Sequence, residues 1–134
     1  MMQARTTSGW TIDERILRVT STPERDSIIE AIRAARDENH FAPGMALLID
    51  ARALEHAPQQ LSSPLVRGRA FEIAGFGFRR CAVVAAATTA QIRLANLFAT
   101  YADKAGVDAR VFTNLEEAEA WLKIPWQGGT IILS

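Results

Sequence analysis

Apolar and polar positions follow two rhythms along this chain, and the switches between them mark its elements. Residues 10–19 alternate imperfectly: Trp10 and Ile12, then Ile16, Leu17 and Val19. That pattern predicts one irregular strand or a small hairpin, with Asp13 and Glu14 near the turn. Being half polar, it belongs at a sheet edge, where one face stays wet. Ser21, Thr22, Pro23 and Glu24 then start a helix. Ser21 with Glu24 matches a capping box, and Thr22 before Pro23 matches an N-cap with proline at the first helical position. Ile28, Ile29, Ile32 and Ala35 form the apolar stripe, with Arg25, Glu30, Arg33, Arg36 and Asp37 largely outside it. The helix is predicted to end near Asn39 and His40, and Phe41, Ala42, Pro43 and Gly44 turn the chain.

The rhythm then breaks into a continuous apolar run, Met45-Ala46-Leu47-Leu48-Ile49, ending in Asp50-Ala51-Arg52. A run this short, fenced by Pro43-Gly44 and by charge, predicts a central parallel strand covered by helices on both faces. Cys81 to Ala87 is a second such run and is predicted to lie beside it. Between them, Ser63-Pro64 opens a helix whose Leu65, Val66, Ala70, Ile73 and Ala74 face the sheet, with Gly75 and Gly77 loosening its end. Thr88 or Thr89 caps the longest helix, about residues 90–105, and Gly106 stops it. Residues 108–113 are predicted to form a third inner strand. Asn114, with Glu117 three residues on, caps a last helix whose Leu115, Ala118, Trp121 and Leu122 face inward. Strands alternating with helices predict a layered α/β domain with a mainly parallel sheet.

The final stretch, 125–134, is a Gly128-Gly129 hinge followed by Ile131, Ile132 and Leu133. These side chains and Trp126 must be hidden either against their own domain or against a partner subunit.

Composition narrows the function classes. At 134 residues the chain fits one domain, residues 1–134, and 49% hydrophobic with 22% charged side chains is an ordinary globular balance. Fifteen basic and fifteen acidic side chains cancel, so no overall field favours nucleic acid or an anionic membrane. One cysteine, Cys81, rules out an internal disulfide and a multi-cysteine zinc site; at the head of an apolar strand it reads as a buried, inert thiol. Residues 1–9 lack the apolar core of a signal peptide, and no apolar run is long enough to span a membrane. A soluble cytoplasmic protein is expected, without stable membrane insertion.

Candidate chemistry is sparse. Gly75-Phe76-Gly77 has no third glycine to complete GxGxxG and precedes a strand, whereas a dinucleotide loop follows one. His40 and His56 lie in different loops without an HExxH context, so no metal is expected. Ser62 and Ser63 have no GxSxG elbow. A phosphoacceptor receiver domain would need a second acidic cluster after the first strand and a lysine after the last. Arg67, Arg69, Arg79 and Arg80 form a local basic group, read as solvated surface against the alternative of an anion grip. Asp50, Arg52, His56 and Thr88 are the candidate ligand-binding residues, because strand ends in open α/β sheets face a ligand crevice and His56 could move a proton there. The competing reading makes Asp50 an organiser of the following loop through Arg52.

Three segments carry a family resemblance: His40-Phe41-Ala42-Pro43-Gly44-Met45 leading into Leu47-Leu48-Ile49-Asp50-Ala51-Arg52; Cys81-Ala82-Val83-Val84-Ala85; and Ala109-Arg110-Val111-Phe112-Thr113-Asn114-Leu115-Glu116-Glu117-Ala118-Glu119-Ala120-Trp121-Leu122. In order and spacing the chain resembles the SpoIIAA-like proteins of the STAS/SEC14-like superfamily over most of residues 10–123, with the tail outside. The resemblance implies a STAS-like domain with a four- to five-stranded, mostly parallel mixed sheet and about four helices, and no intrinsic enzymatic activity or cofactor. Anti-sigma-factor antagonists of this kind carry an acceptor serine in an Asp-Ser-Ser-Gly-like motif. Here Gln60-Leu61-Ser62-Ser63-Pro64 keeps the serine pair without the flanking aspartate and glycine, so no phosphosite is carried over. The leading expectation is a binding module working through a protein partner or self-association as a homodimer, with Trp126, Ile131, Ile132 and Leu133 as candidate interface. The alternative is a carrier of a small apolar molecule or lipid, held between the sheet and the helices at 64–73 and 90–105.

Overall fold

A computed structural model describes residues 10–13, 15–20, 28–38, 44–53 and 63–124. Its elements are β1 (Trp10–Asp13), β2 (Ile16–Thr20), α1 (Ile28–Asp37), β3 (Ala46–Asp50), α2 (Ser63–Ala74), β4 (Arg80–Val84), α3 (Thr89–Lys104), β5 (Asp108–Phe112) and α4 (Leu115–Lys123). The capping residues predicted at 21–24 fall outside the described residues.

The five strands lie side by side in sequence order. β1 pairs antiparallel with β2 in a tight hairpin, Asp13 opposite Ile16, and Arg15 takes the left-handed φ of 62° that such a turn requires. From β2 onward every pairing is parallel, with Ile16, Ala46, Arg80 and Asp108 in successive register. Parallel neighbours need right-handed crossovers, and a strand order that advances in one direction puts every crossover helix on the same face. α1, α2 and α3 accordingly share one side. There Ile32, Ala35, Ala70, Ile73, Ala95 and Ala102 pack on Leu17, Val19, Leu47, Ile49, Cys81 and Val83. α4, which follows the last strand, takes the opposite side and buries Ala118, Trp121 and Leu122 on Ile16, Leu48, Ala82 and Val84.

The period-two alternation of the strands divides these two cores residue by residue. In β3, Leu47 and Ile49 enter the three-helix side and Leu48 the α4 side. β3 is the middle strand, while β4 is buried from end to end. Residues 108–113, expected to be an inner strand, form an edge among the described residues: β5 pairs with β4. The second apolar run is also shorter as a strand than read, since Ala85 to Ala87 lie past the end of β4.

Both predicted helix caps at the C-terminal half are present. Thr88 holds extended dihedrals and its hydroxyl oxygen accepts from the Gln91 amide at 3.2 Å. The Asn114 side-chain oxygen accepts from the Glu117 amide at 2.9 Å. α3 ends in a Schellman turn: Gly106, with φ 102°, donates to the Asp103 carbonyl at 3.1 Å, and Val107 donates to the Ala102 carbonyl at 3.0 Å.

Candidate functional site

Asp50 closes β3, and its carboxylate turns back on the residue two positions later. Oδ1 accepts from the Arg52 amide at 3.2 Å and from Arg52 Nε at 2.9 Å, while Oδ2 accepts from Arg52 Nη2 at 2.8 Å. Between them the Ala51 amide donates to the Val84 carbonyl at 2.8 Å, which fixes the exit of β3 to the end of β4. Arg52's hydrogen bonds hold the Asp50 carboxyl below the usual aspartate range, against an opposing push from burial, and Asp50 raises Arg52 in return. A general base works best with its pKa near the working pH. Asp50 is moved the other way, and a guanidinium fork already occupies both oxygens.

Thr88 stands beyond the end of the neighbouring strand, where its hydroxyl caps α3. His56 lies outside the described residues, so the structure brings together Asp50 and Arg52 directly and places Thr88 on the adjoining loop. The interface candidates Trp126, Ile131, Ile132 and Leu133 also lie outside the described residues, as does Ser62. A ligand crevice in an open α/β sheet forms where the strand order reverses. Among the described residues the strands run in the order β1-β2-β3-β4-β5, without such a reversal.

The basic group separates in space. Arg67 is exposed on α2, and Arg69 is half-buried, with its pKa pulled down by that burial. Arg79 is exposed before β4, its guanidinium running beside Gly44. Arg80, expected on the solvated surface, is instead buried at 8% exposure on the α4 side. Its Nη1 donates to the carbonyls of Trp121 at 2.8 Å and Ile124 at 2.7 Å, and its guanidinium lies 5.2 Å from the centre of the Trp121 ring. Alternation along β4 puts Arg80 on the same side as Ala82 and Val84, and the end of α4 supplies carbonyls for it there. Elsewhere on this face Arg18 clasps Glu119 through two bonds of 2.6 Å, joining β2 to α4. Among the described residues, no group of three or more His, Cys, Asp or Glu is placed to hold a metal ion.

The surface holds a feature that the sequence reading misplaces. Leu65, expected to face the sheet, is 40% exposed, and Phe71 is 47% exposed with its ring 6.2 Å from that of Tyr101 on α3. Val66, Ala70 and Ile73 hold the inward side of α2, so Leu65 and Phe71 leave the helix apolar on both sides. The signal was present in the spacing, because Leu65 and Phe71 do not share the three- and four-residue steps that join Val66, Ala70 and Ile73.

Four parallel strands wound in sequence order, one antiparallel strand beside the first of them, and helices on both faces make a STAS-like domain. The SpoIIAA-like family model matches residues 16–123, from the first residue of β2 to the last of α4, and the chain belongs to that family. No curated protein and no solved structure matches it.

Proposed function

We propose that this STAS-like domain is a non-catalytic binding module that acts in the cytoplasm through contacts with a protein, either a different chain or a second copy of itself. The observation that carries the reading is the apolar outer side of α2, where Phe71 and Leu65 stay exposed. Side chains of this kind grouped on one surface mark association more often than catalysis. STAS-like domains often mediate protein interactions, which supports the same reading. The polar groups at the strand ends support it as well, since Asp50 and Arg52 bond to each other and Thr88 caps a helix.

A carrier would need space between the sheet and the helices α2 and α3. Val66, Ala70, Ile73, Ala95 and Ala102 are buried along that layer, and short side chains let helices lie close to a sheet. No helix among the described residues is long and apolar enough to cross a membrane.

Native mass spectrometry of the protein isolated gently from its source cells tests the proposal. Added mass of protein size, from a second copy or another chain, is the expected result. Added mass of small-molecule size alone would replace the module by a carrier. Deleting residues 128–134 then asks whether Ile131, Ile132 and Leu133 contribute. If a homodimer persists undiminished, the tail is not its interface.

A further inference from the structure

Gly68 sits in the interior of α2 without a reason in the fold. It is absent from the positive-φ positions, and a Cβ built on it meets nothing within 4 Å. Neither backbone conformation nor close packing requires glycine there, although glycine weakens a helix relative to almost any other residue. Its place is informative: Gly68 lies three residues from Leu65 and three from Phe71, so the two exposed apolar side chains flank a gap on the outer side of the helix. A gap between two apolar shoulders receives a knob from a partner helix.

The charges around this face are unequal. On the α1 side, Glu72 is closed by Arg33 Nη2 at 2.5 Å. On the α3 side, Phe71 meets Tyr101, and Lys104 Nζ lies 6.0 Å from the Tyr101 ring. Arg93 and Lys104 are both exposed and about three turns apart, which puts them on one side of α3, and Arg67 is exposed on the flank of α2 beside Phe71. Asp103, the exposed acid next to Lys104, stands about 100° further round α3, so the side that carries Arg93 and Lys104 is cationic.

We propose that the outer face of α2, with Gly68 as the notch between Leu65 and Phe71, docks an acidic amphipathic helix of a partner protein. The inference rests on the binding-module reading and names its surface and the chemistry of its partner. A bound helix would place an apolar side chain over Gly68, keep apolar neighbours three and four residues away against Leu65 and Phe71, and set Asp or Glu against Arg67, Arg93 and Lys104. A second copy would bring the same cations towards one another. The segment 125–134 carries no acidic side chain.

The test uses the full chain and two fluorescent peptides of about five helical turns. They have the same leucines at i, i+3, i+4 and i+7, and either Glu or Lys on the flanks. The Glu peptide is expected to bind about tenfold or more tightly than the Lys peptide, with the difference shrinking at high salt. Gly68→Gln fills the notch at a position with open space, so it should fold at least as well as the parent and weaken the Glu peptide about tenfold or more. Arg67→Glu combined with Lys104→Glu should reverse the peptide preference.

Equal binding of the two peptides, no binding at millimolar concentration, or indifference to Gly68→Gln overturns the inference. A homodimer seen in sedimentation and abolished by Gly68→Gln reassigns the face to a second copy and also overturns it. So does tight binding to phosphatidylglycerol vesicles that Gly68→Gln abolishes without changing peptide affinity. A protein-sized complex from source cells that persists in Gly68→Gln removes this surface and leaves the module reading standing. Failure of the parent chain to form any such complex removes both.

Discussion

Arg80 and Trp121 hold each other in two ways: the arginine donates to the tryptophan's carbonyl oxygen at 2.8 Å and lies over its indole ring. The last carbonyls of a helix have no partner within it and carry the negative end of its dipole, so a cation there is doubly favoured. Arg80 reaches Ile124 as well, and Arg110 on β5 lies 5.1 Å from the same ring. The pair thus fixes the only described helix on its face of the sheet against β4, the strand buried throughout.

Arg80→Met should destabilise the domain by about 1.5–3 kcal/mol, because it keeps an apolar stem but removes a charged donor from the carbonyls of Trp121 and Ile124, of which Trp121's keeps the Ile124 amide. Arg80→Lys should recover only part, since an ammonium can donate to the two carbonyls that Nη1 reaches but has no flat face to lie over the Trp121 ring. Urea unfolding followed by circular dichroism measures both. A loss below about 1 kcal/mol for Arg80→Met would mean that α4 is held by its apolar face and the Arg18–Glu119 pair, with little from Arg80.

Glu119 predicts an acid limit. The hydrogen bonds from Arg18 hold its carboxyl below the usual glutamate range, and Arg52 does the same for Asp50. A carboxyl whose folded pKa lies below its unfolded pKa contributes its full stabilisation above the unfolded value. That contribution disappears as pH falls through the folded one. Both contributions should therefore be complete at neutral pH and decline from roughly pH 4 downward. Arg18 and Glu119 are partly solvated, so Glu119→Gln should cost only about 1 kcal/mol at pH 7, and the difference from the parent should vanish in acid. A difference that stayed constant from pH 7 to pH 3 would assign the effect to packing.

The elements were legible where a single physical demand shaped the sequence. Residues 46–49 had to be apolar on both sides because helices cover both faces of β3, and Asn114 and Thr88 had to offer oxygen where a helix leaves amides unpaired. β5 was misread as an inner strand because α3 and α4 pack on its two sides, so Val111 and Phe112 are shielded much as inner residues are. The role of Arg80 was hidden because its partners are 41 and 44 residues away, a closeness that neither composition nor spacing encodes. The candidate site was legible only as far as Asp50 and Arg52, two residues apart, could bond. The outer face of α2 escaped because Leu65 adjoins Val66 and Phe71 adjoins Ala70 in sequence, so that only the three- and four-residue steps, and not apolar character, separate the outward side chains from the inward ones.

Cys81 offers a check on the cooperativity of the core. It is fully buried on β4, and burial pushes its thiol up to about 12. The thiolate is the reactive form, so a native chain should hardly react with a disulfide reagent at neutral pH. Labelling should require opening of β4, with a rate that rises with urea along the unfolding curve. Rapid labelling in buffer would show that β4 opens locally, which its burial on both faces argues against.

Gly68 and Gly106 should respond oppositely to the same added methyl group. Gly106 takes φ 102° at the end of α3, where a side chain strains the backbone, and the Val107 bond to Ala102 depends on that turn. Gly106→Ala should therefore cost about 1–2 kcal/mol. Gly68 lies within α2 with open space in front of it, so Gly68→Ala should stabilise by about 0.5–1 kcal/mol through helix propensity and a less flexible unfolded chain. Thermal melts of the two variants beside the parent measure the contrast. A stability gain at Gly68 would show that the folded domain bears a cost there, as expected if the bare helix surface serves contact with another molecule; a loss would return Gly68 to the internal architecture of α2.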